Sequence, residues 1–218
     1  AATVDAATGE VEITGVGEVT ITATKPGGQN YLPVSDQWTF TAAPKPVTAS
    51  IVVDDKTYDG TTNAAVTTAD IDADLLAGDA VTIDPASITA AFDTPAVGTG
   101  KTVTLDTSNA QVTGADAAKY TVSYPDTAKG TIKPKSVTVT VTLSGNDLQK
   151  DDSATPPYFY NYDGTEKNPN VTVTANDDGA VLTDSDYGVN ITDNRNVGNA
   201  TVTVTAKTGG NYTFTEAK

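Results

Sequence analysis

The sequence predicts an all-β fold, built from small antiparallel β-sandwich modules that follow one another in an elongated arrangement. Three observations lead to this prediction: apolar residues recur with a period of two, turn residues separate short patterned runs, and threonine makes up 40 of the 218 residues. A period of two places alternate side chains on opposite faces of an extended chain, which is typical of a half-buried strand. Threonine suits the solvent-exposed face of a strand because its branched Cβ favours extended backbone while its hydroxyl contacts water.

Alternating runs occur along the whole chain. The clearest are residues 19–23, 137–143, 171–174 and 201–206, and turn pairs at Asp59-Gly60, Asp178-Gly179 and Gly209-Gly210 separate such runs. Short strands between frequent turns favour a sandwich over a helical or mixed fold.

Two kinds of repeat divide the chain. The stretch from Val16-Gly17 to Tyr31 matches the stretch from Val197-Gly198 to Tyr212, and Val and Tyr are 15 positions apart in both. Tyr-Asp-Gly-Thr occurs at residues 58–61 and again at 162–165, which is 104 positions later. The repeats predict two related domains of nearly equal size.

Prolines mark the boundaries of these domains, at Pro44 and Pro46 and again at Pro134. Proline fixes its own φ and keeps the preceding residue extended, so joints of this kind are short and stiff. The predicted segments are therefore 1–43, 44–134 and 135–218.

Residues 1–43 are too few to bury a stable core without a disulfide or a metal. Strands are predicted near residues 10–13, 18–23 and 37–41, and Trp38 and Phe40 are predicted to lie in a core. We expect the segment to be the end of a sandwich whose first strands lie upstream. Another chain, a swapped partner or the next domain would then complete its open edge.

Composition excludes several kinds of function. The chain has no Cys and no His, so it offers no disulfide, no Ser–His–Asp triad and no metal site built on those ligands. A formal net charge of −15 argues against a nucleic-acid partner. No apolar run approaches the roughly 20 residues that span a bilayer, so no membrane insertion is expected, and an export signal or anchor would lie outside this sequence.

Several motifs resemble known families of bacterial surface modules. Residues 56–62, 76–79 (Leu-Ala-Gly-Asp), 97–103 and 114–120 (Gly-Ala-Asp-Ala-Ala-Lys-Tyr) look like the YDG domain. The second Tyr-Asp-Gly, with Asp186-Tyr187, Asn196-Val197-Gly198 and Gly210-Asn211-Tyr212, is similar to the MBG domain. Residues 1–43 resemble the C-terminal part of a bacterial Ig-like domain.

The resemblance implies tandem Ig-like modules in an extracellular bacterial protein, on the cell surface or secreted. It implies no shared catalytic residue, and two small sandwiches with short loops offer little cleft, so we expect no enzyme activity. The first functional hypothesis is a stalk or spacer in an adhesin-like protein. The second is an accessory module of a secreted carbohydrate-active enzyme that binds a host or cell-surface glycan or protein. We expect a monomer, with strand pairing through residues 1–43 as its route to association, and no cofactor apart from the calcium considered next.

Asp70, Asp72 and Asp74 form the candidate metal site, because Ca²⁺ prefers several carboxylate oxygens. The stretch departs from an EF-hand loop, since Leu75 replaces the glycine at position six and Val81 the glutamate at position twelve. The alternative is a solvated acidic turn.

Tyr158, Tyr160 and Tyr162 form the candidate ligand site. On one strand they would share a face. An exposed face would be an aromatic platform for a sugar ring, whereas a buried one would be core.

Lys101 is the candidate crosslink, because it alternates with Val103 and Leu105 and so begins on the apolar face of its strand. A buried, neutral lysine can form an amide with Asn or Asp. The alternative is a lysine that extends from the strand end to water.

Overall fold

The computed structural model describes residues 2–71 and 74–218 and confirms the all-β fold. Its helical elements include the short 3₁₀ turns Pro85–Ser87 and Ala117–Lys119. No described helix has the length and apolarity needed to cross a membrane.

The first segment contains two hairpins. Its strands are β1 (Ala2–Val4), β2 (Val11–Ile13), β3 (Gly17–Lys25) and β4 (Val34–Ala42). β1 pairs with β2, and β3 pairs with β4 over nine residues, from Gly17 opposite Ala42 to Lys25 opposite Val34. The strands predicted in this segment are therefore confirmed.

The core position predicted for Trp38 is wrong. Its side chain is 72% exposed, and its ring contacts Phe40 at 6.0 Å between centroids. Alternation places both rings on one face of β4, but it does not say whether anything covers that face. In this hairpin Val19 is buried while Trp38 remains in solvent.

The middle segment carries more strands than either of its neighbours. They are β5 (Lys45–Thr48), β6 (Ser50–Val53), β7 (Lys56–Thr57), β8 (Asn63–Ala64), β9 (Val66–Asp70), β10 (Thr82–Ile83), β11 (Thr89–Phe92), β12 (Gly98–Asp106), β13 (Val112–Thr113), β14 (Tyr120–Ser123) and β15 (Thr127–Lys133). One sheet has the order β7-β15-β12-β11-β8, and two-stranded pairs join β6 to β9, β10 to β13 and β14 to β5.

The strands of the last segment pair into two-stranded sheets. Its strands are β16 (Lys135–Ser136), β17 (Val139–Ser144), β18 (Gln149–Lys150), β19 (Tyr158–Phe159), β20 (Asn170–Ala175), β21 (Tyr187–Thr192), β22 (Thr201–Ala206) and β23 (Tyr212–Thr213). β17 pairs with β20 and β21 with β22, each over six residues. Val173 on β20 and Val204 on β22 are fully buried, whereas Val189 on β21 is exposed.

Most strand pairs are antiparallel, as expected, but β5–β14, β7–β15 and β16–β23 are parallel. A parallel pair requires a long crossover, and here each partner lies about 75 residues away along the chain. The alternating pattern identifies a strand but not its distant partner, so these pairs were not predicted.

The chain forms two compact units. The first comprises Ala1–Val53, Ala65–Ala90 and Thr104–Ala128, and the second comprises Asp54–Ala64, Ala91–Val103 and Lys129–Lys218. The core of the first unit contains Val47, Ala49, Ile71, Val81, Ile83, Ile88 and Tyr120. The core of the second contains Val137, Val173, Ala175, Leu182, Tyr187 and Val204.

Candidate functional site

Both Tyr-Asp-Gly motifs fold into the same turn. In the first, the Oδ1 atom of Asp59 accepts hydrogen bonds from the backbone N–H of Thr61 at 2.9 Å and from its hydroxyl at 2.8 Å. In the second, Oδ1 of Asp163 accepts the same two bonds from Thr165, at 2.9 and 2.6 Å.

The glycine of each motif completes the turn. Gly60 has a φ of +75° and Gly164 a φ of +76°, a left-handed conformation that glycine adopts without the steric cost of a side chain. The same local chemistry therefore forms the turn that follows the tyrosine of each motif.

A lysine holds each of these aspartates ionised. The Lys56 Nζ atom lies 2.7 Å from Asp59 Oδ1, and this hydrogen bond, helped by the Thr61 N–H, lowers the pKa of the Asp59 carboxyl to about 2. The Lys167 Nζ atom lies 2.6 Å from Asp163 Oδ2 and holds the pKa of that carboxyl far below its usual range. Both carboxylates fix a turn and carry their charge at neutral pH.

Within the second unit, the first Tyr-Asp-Gly motif contacts the end of the chain. The Tyr58 and Tyr212 rings meet edge to face, with centroids 5.4 Å apart and planes at 74°. The backbone N–H of Val97 donates a 3.1 Å hydrogen bond to Oδ1 of Asn211. Tyr58 and Val97 therefore hold the Asn211-Tyr212 pair, which lies more than 100 positions later in the sequence.

Backbone hydrogen bonds fix the short connection beside this contact. The Tyr58 N–H donates to the Lys133 carbonyl at 2.8 Å, and the Lys135 N–H donates to the Asn211 carbonyl at 2.9 Å. Pro134 lies between the two lysines. The joint between the middle and last segments is thus bonded on both sides of its proline.

Asp186 is a buried carboxylate, 2% exposed, that orients the Asn211 loop. Its Oδ1 atom accepts the Asn211 N–H at 2.8 Å, while Oδ2 accepts the N–H and hydroxyl of Thr183 at 3.0 and 2.7 Å. Gly210 allows the close approach, because a Cβ there would lie 3.0 Å from the Asp186 Cα. Asp186 acts here as a structural acceptor.

The predicted tyrosine site lies in a groove of about 820 Å³ in the last segment. β19 covers only Tyr158 and Phe159, so Tyr158, Tyr160 and Tyr162 do not stand on one strand face, yet all three line the groove. Tyr158 and Tyr160 are half-buried, whereas Tyr162 is 66% exposed. Lys150 lies over the Tyr158 ring and Lys167 over the Tyr160 ring, 5.9 and 5.7 Å from the centroids.

Sequence reasoning missed polar groups that line the same groove. They are Asn161, Asn194, Asn196, Asn199 and Arg195. The Nε atom of Arg195 donates to the Gly164 carbonyl at 3.3 Å, which ties the single arginine of the chain to the second Tyr-Asp-Gly turn. The asparagine-rich stretch around this arginine was the available signal.

The predicted metal site is not assembled by the described residues. Asp72 lies outside them, and within residues 2–71 and 74–218 no group of three acidic side chains is placed to hold a metal ion. The Asp74 carbonyl accepts a hydrogen bond from Lys45. Asp70 lies at the end of β9, opposite Ser50.

Lys101 lies in an ion pair. Its side chain is 11% exposed, and its Nζ atom is 2.9 Å from Oδ1 of Asp93 and donates to the Thr94 hydroxyl at 2.6 Å. The Lys101 hydrogen bond lowers the pKa of the Asp93 carboxyl. Amide formation requires a neutral amine and a protonated acid, and the ion pair favours the opposite charge state of both groups.

The motifs of the middle segment meet in the first unit. The Asp79 carboxylate accepts bonds from the Tyr120 hydroxyl at 2.7 Å and from Lys119 at 3.0 Å, and Lys119 also pairs with Asp116 at 2.8 Å. The Leu76 N–H donates to the Tyr120 oxygen at 2.9 Å. Leu-Ala-Gly-Asp and Ala-Ala-Lys-Tyr are therefore two halves of one structural network.

Comparison with known proteins identifies the middle of the chain. No curated protein and no solved structure matches the sequence. The YDG domain family matches residues 43–129, which agrees with the resemblance noted for the middle segment. The Ig-like and MBG-like resemblances of the flanking segments stay predictions. The chain therefore contains a YDG domain at residues 43–129.

Proposed function

We propose that this chain is a non-catalytic extracellular module of a bacterial surface protein, acting as a spacer or stalk in an adhesin-like assembly. The observation that carries the proposal is the joint at Pro134, where Tyr58 and Val97 hold Asn211 and Tyr212. A spacer must keep each module in a fixed position relative to the next. A joint held by hydrogen bonds and ring contacts does this better than a flexible linker.

The charge of the chain supports this role. The net charge of −15 divides into −4, −6 and −5 over the three segments, so none of them is a charged tail. Evenly spread like charge keeps neighbouring modules soluble and apart.

The Asp163 carboxylate of the groove is not suited to the acid role of a glycosidase. A glycosidase needs one carboxylic acid that is still protonated near neutral pH. Asp163, which lines the groove, has a pKa held far below its usual range by Lys167, so it cannot serve as that acid.

Spin labels on the full chain test the spacer role. The chain has no native cysteine, so Thr99→Cys and Thr205→Cys, both at exposed positions of the second unit, place two labels without background. A bonded joint predicts one narrow distance distribution, which Tyr58→Ala broadens because the ring contact is lost. Thr215→Ala, an exposed substitution near the same chain end, is the matched control and should leave the distribution narrow. A broad distribution in the unsubstituted chain would contradict the proposal.

Glycan binding is the second candidate, favoured by the groove itself. Aromatic rings stack on sugars, and asparagine and arginine side chains bond hydroxyl groups. A glycan array with the full chain tests this candidate, with Tyr160→Ala as the loss-of-binding variant. Trp38→Ala, which removes an exposed ring in the first unit, is the control. The absence of binding above background would remove this candidate.

A further inference from the structure

The surface that the first Tyr-Asp-Gly motif uses for its contact occurs a second time in the chain, and there its residues are exposed. Where the contact is made, Tyr58, Val97, Asn211 and Tyr212 are all half-buried. Tyr58 and Val97 form the surface of this contact, here called the Tyr58/Val97 surface.

The repeat recreates this surface 100 to 104 positions later, as Tyr162 and Val197. Both residues line one groove, but Tyr162 is 66% exposed and Val197 is 82% exposed. The hydrogen bonds from Thr165 to Asp163 match those of the first motif, so Tyr162 and Tyr58 precede turns of the same kind. Exposed tyrosine and valine on one surface are typical of a contact region that lacks its partner.

The chain also carries a second copy of the bound loop. Asn30-Tyr31 stands in the first segment where Asn211-Tyr212 stands in the last, and both follow a Val-Gly pair by the same spacing. Asn30 is exposed and Tyr31 is 53% exposed, with the Lys25 ammonium 4.6 Å from the centre of its ring. The same chain thus contains an exposed copy of the contact surface and an exposed copy of the loop that binds to it.

We propose that the Tyr162/Val197 surface binds the Asn30-Tyr31 loop of a second copy of this chain. The Tyr31 ring packs edge to face on Tyr162, and the Val197 N–H donates to the Asn30 side-chain oxygen, as Val97 does to Asn211. The proposal goes beyond the spacer role and does not depend on it, because it concerns contacts between chains.

This association is head to tail. Each copy offers one surface and one different loop, so the contact is heterologous and extends into an open series of copies. The contact is small compared with stable interfaces, so it forms at high local concentration and leaves the chain monomeric when dilute.

Cysteine crosslinking between full-length chains tests the proposal. Folded Val197→Cys and Gln29→Cys variants are mixed at high concentration and treated with a short bis-maleimide, and crosslinked heterodimer is measured by mass. Gln29 is exposed next to Asn30, so its replacement keeps the proposed acceptor in place. Thr205→Cys, exposed on β22, replaces Val197→Cys as the control site. We expect the heterodimer yield to exceed the control several-fold and to fall to the control level when Tyr162→Ala or Tyr31→Ala is added.

A second arm uses one chain that carries both cysteines. Head-to-tail contact predicts a ladder of multimers from Val197→Cys/Gln29→Cys, whereas mixed single variants stop at the dimer. Equal yields at Val197→Cys and Thr205→Cys would overturn the proposal. A yield that Tyr162→Ala leaves unchanged would also overturn the proposal. Glycan binding would then be the remaining proposed role of the groove. Either failure leaves the spacer role intact, because the spin-label test measures distances within one chain.

Discussion

Aspartates determine the local geometry at both Tyr-Asp-Gly turns, and Asp186 does the same beneath the Asn211 loop. The repeated Tyr-Asp-Gly motif marks Asp59 and Asp163 in the sequence, whereas nothing in the sequence shows which of the other carboxylates is buried like Asp186. The turns were predictable from Asp-Gly, because glycine supplies the left-handed conformation they require. Which carboxylate is buried could not be predicted, since burial depends on distant packing.

Replacing Asp186 tests its role as an acceptor. Asp186→Ala removes three hydrogen bonds to a buried carboxylate and leaves the Asn211 N–H without its acceptor. We expect the free energy of unfolding to fall by about 3 kcal/mol. Urea denaturation measures the change, and Asp184→Ala, at an exposed neighbour, should shift it by no more than about 0.5 kcal/mol. Equal effects of the two substitutions would show that the buried hydrogen bonds of Asp186 do not contribute to the free energy of unfolding.

Acid should destabilise the turns. The folded-state pKa of Asp59 is about 2, below its ordinary value, and that of Asp163 is also lowered. Stability from these groups is therefore present above about pH 4 and is lost as the pH falls toward 2. Melting temperatures measured by circular dichroism should decline through this window. The decline should be shallower in Asp59→Asn/Asp163→Asn, and identical slopes would contradict the assignment.

Lys101 and Asp93 should remain unjoined. Because the pair is ionised, we expect the intact mass of the full chain to equal the mass of the unmodified sequence. High-resolution mass spectrometry makes the measurement, with Lys101→Arg as the control that cannot form the amide. A native mass lower by one water molecule, absent in that variant, would establish the crosslink instead.

Strands and their faces were the most predictable elements. Alternation of valine and threonine predicted β17, β20 and β22, because successive residues of a strand face opposite sides of the sheet and so give a period of two in the sequence. The same pattern misplaced Trp38, since coverage of a face depends on other elements. It also could not identify the parallel partners, such as β16 and β23, whose pairing is decided by the tertiary fold.

Fluorescence of Trp38 tests the uncovered face of β4. Trp38 is the only tryptophan and is 72% exposed, so we expect emission close to that of tryptophan in water. Emission should shift little on unfolding in urea, and iodide should quench it readily before unfolding. Blue-shifted emission that moves to the red on unfolding would show that another chain or strand covers the hairpin.

At the scale of the whole molecule, the repeats predict a division into segments but do not predict the contact around Pro134. Val-Gly and Asn-Tyr could be read as matching repeats, yet nothing in their spacing shows that Val97 of one segment bonds Asn211 of the next. The contact joins residues more than 100 positions apart, and only the folded chain brings them together.

Backbone ¹⁵N relaxation of the full chain tests the bonded joint most directly. The account predicts that residues 54–64 and 91–103 share one rotational correlation time with residues 129–218, since all belong to one compact unit. Asn211→Ala, which removes the acceptor of the Val97 N–H, should separate the correlation times of the two groups. A shorter, independent correlation time for residues 135–218 in the unsubstituted chain would contradict the account.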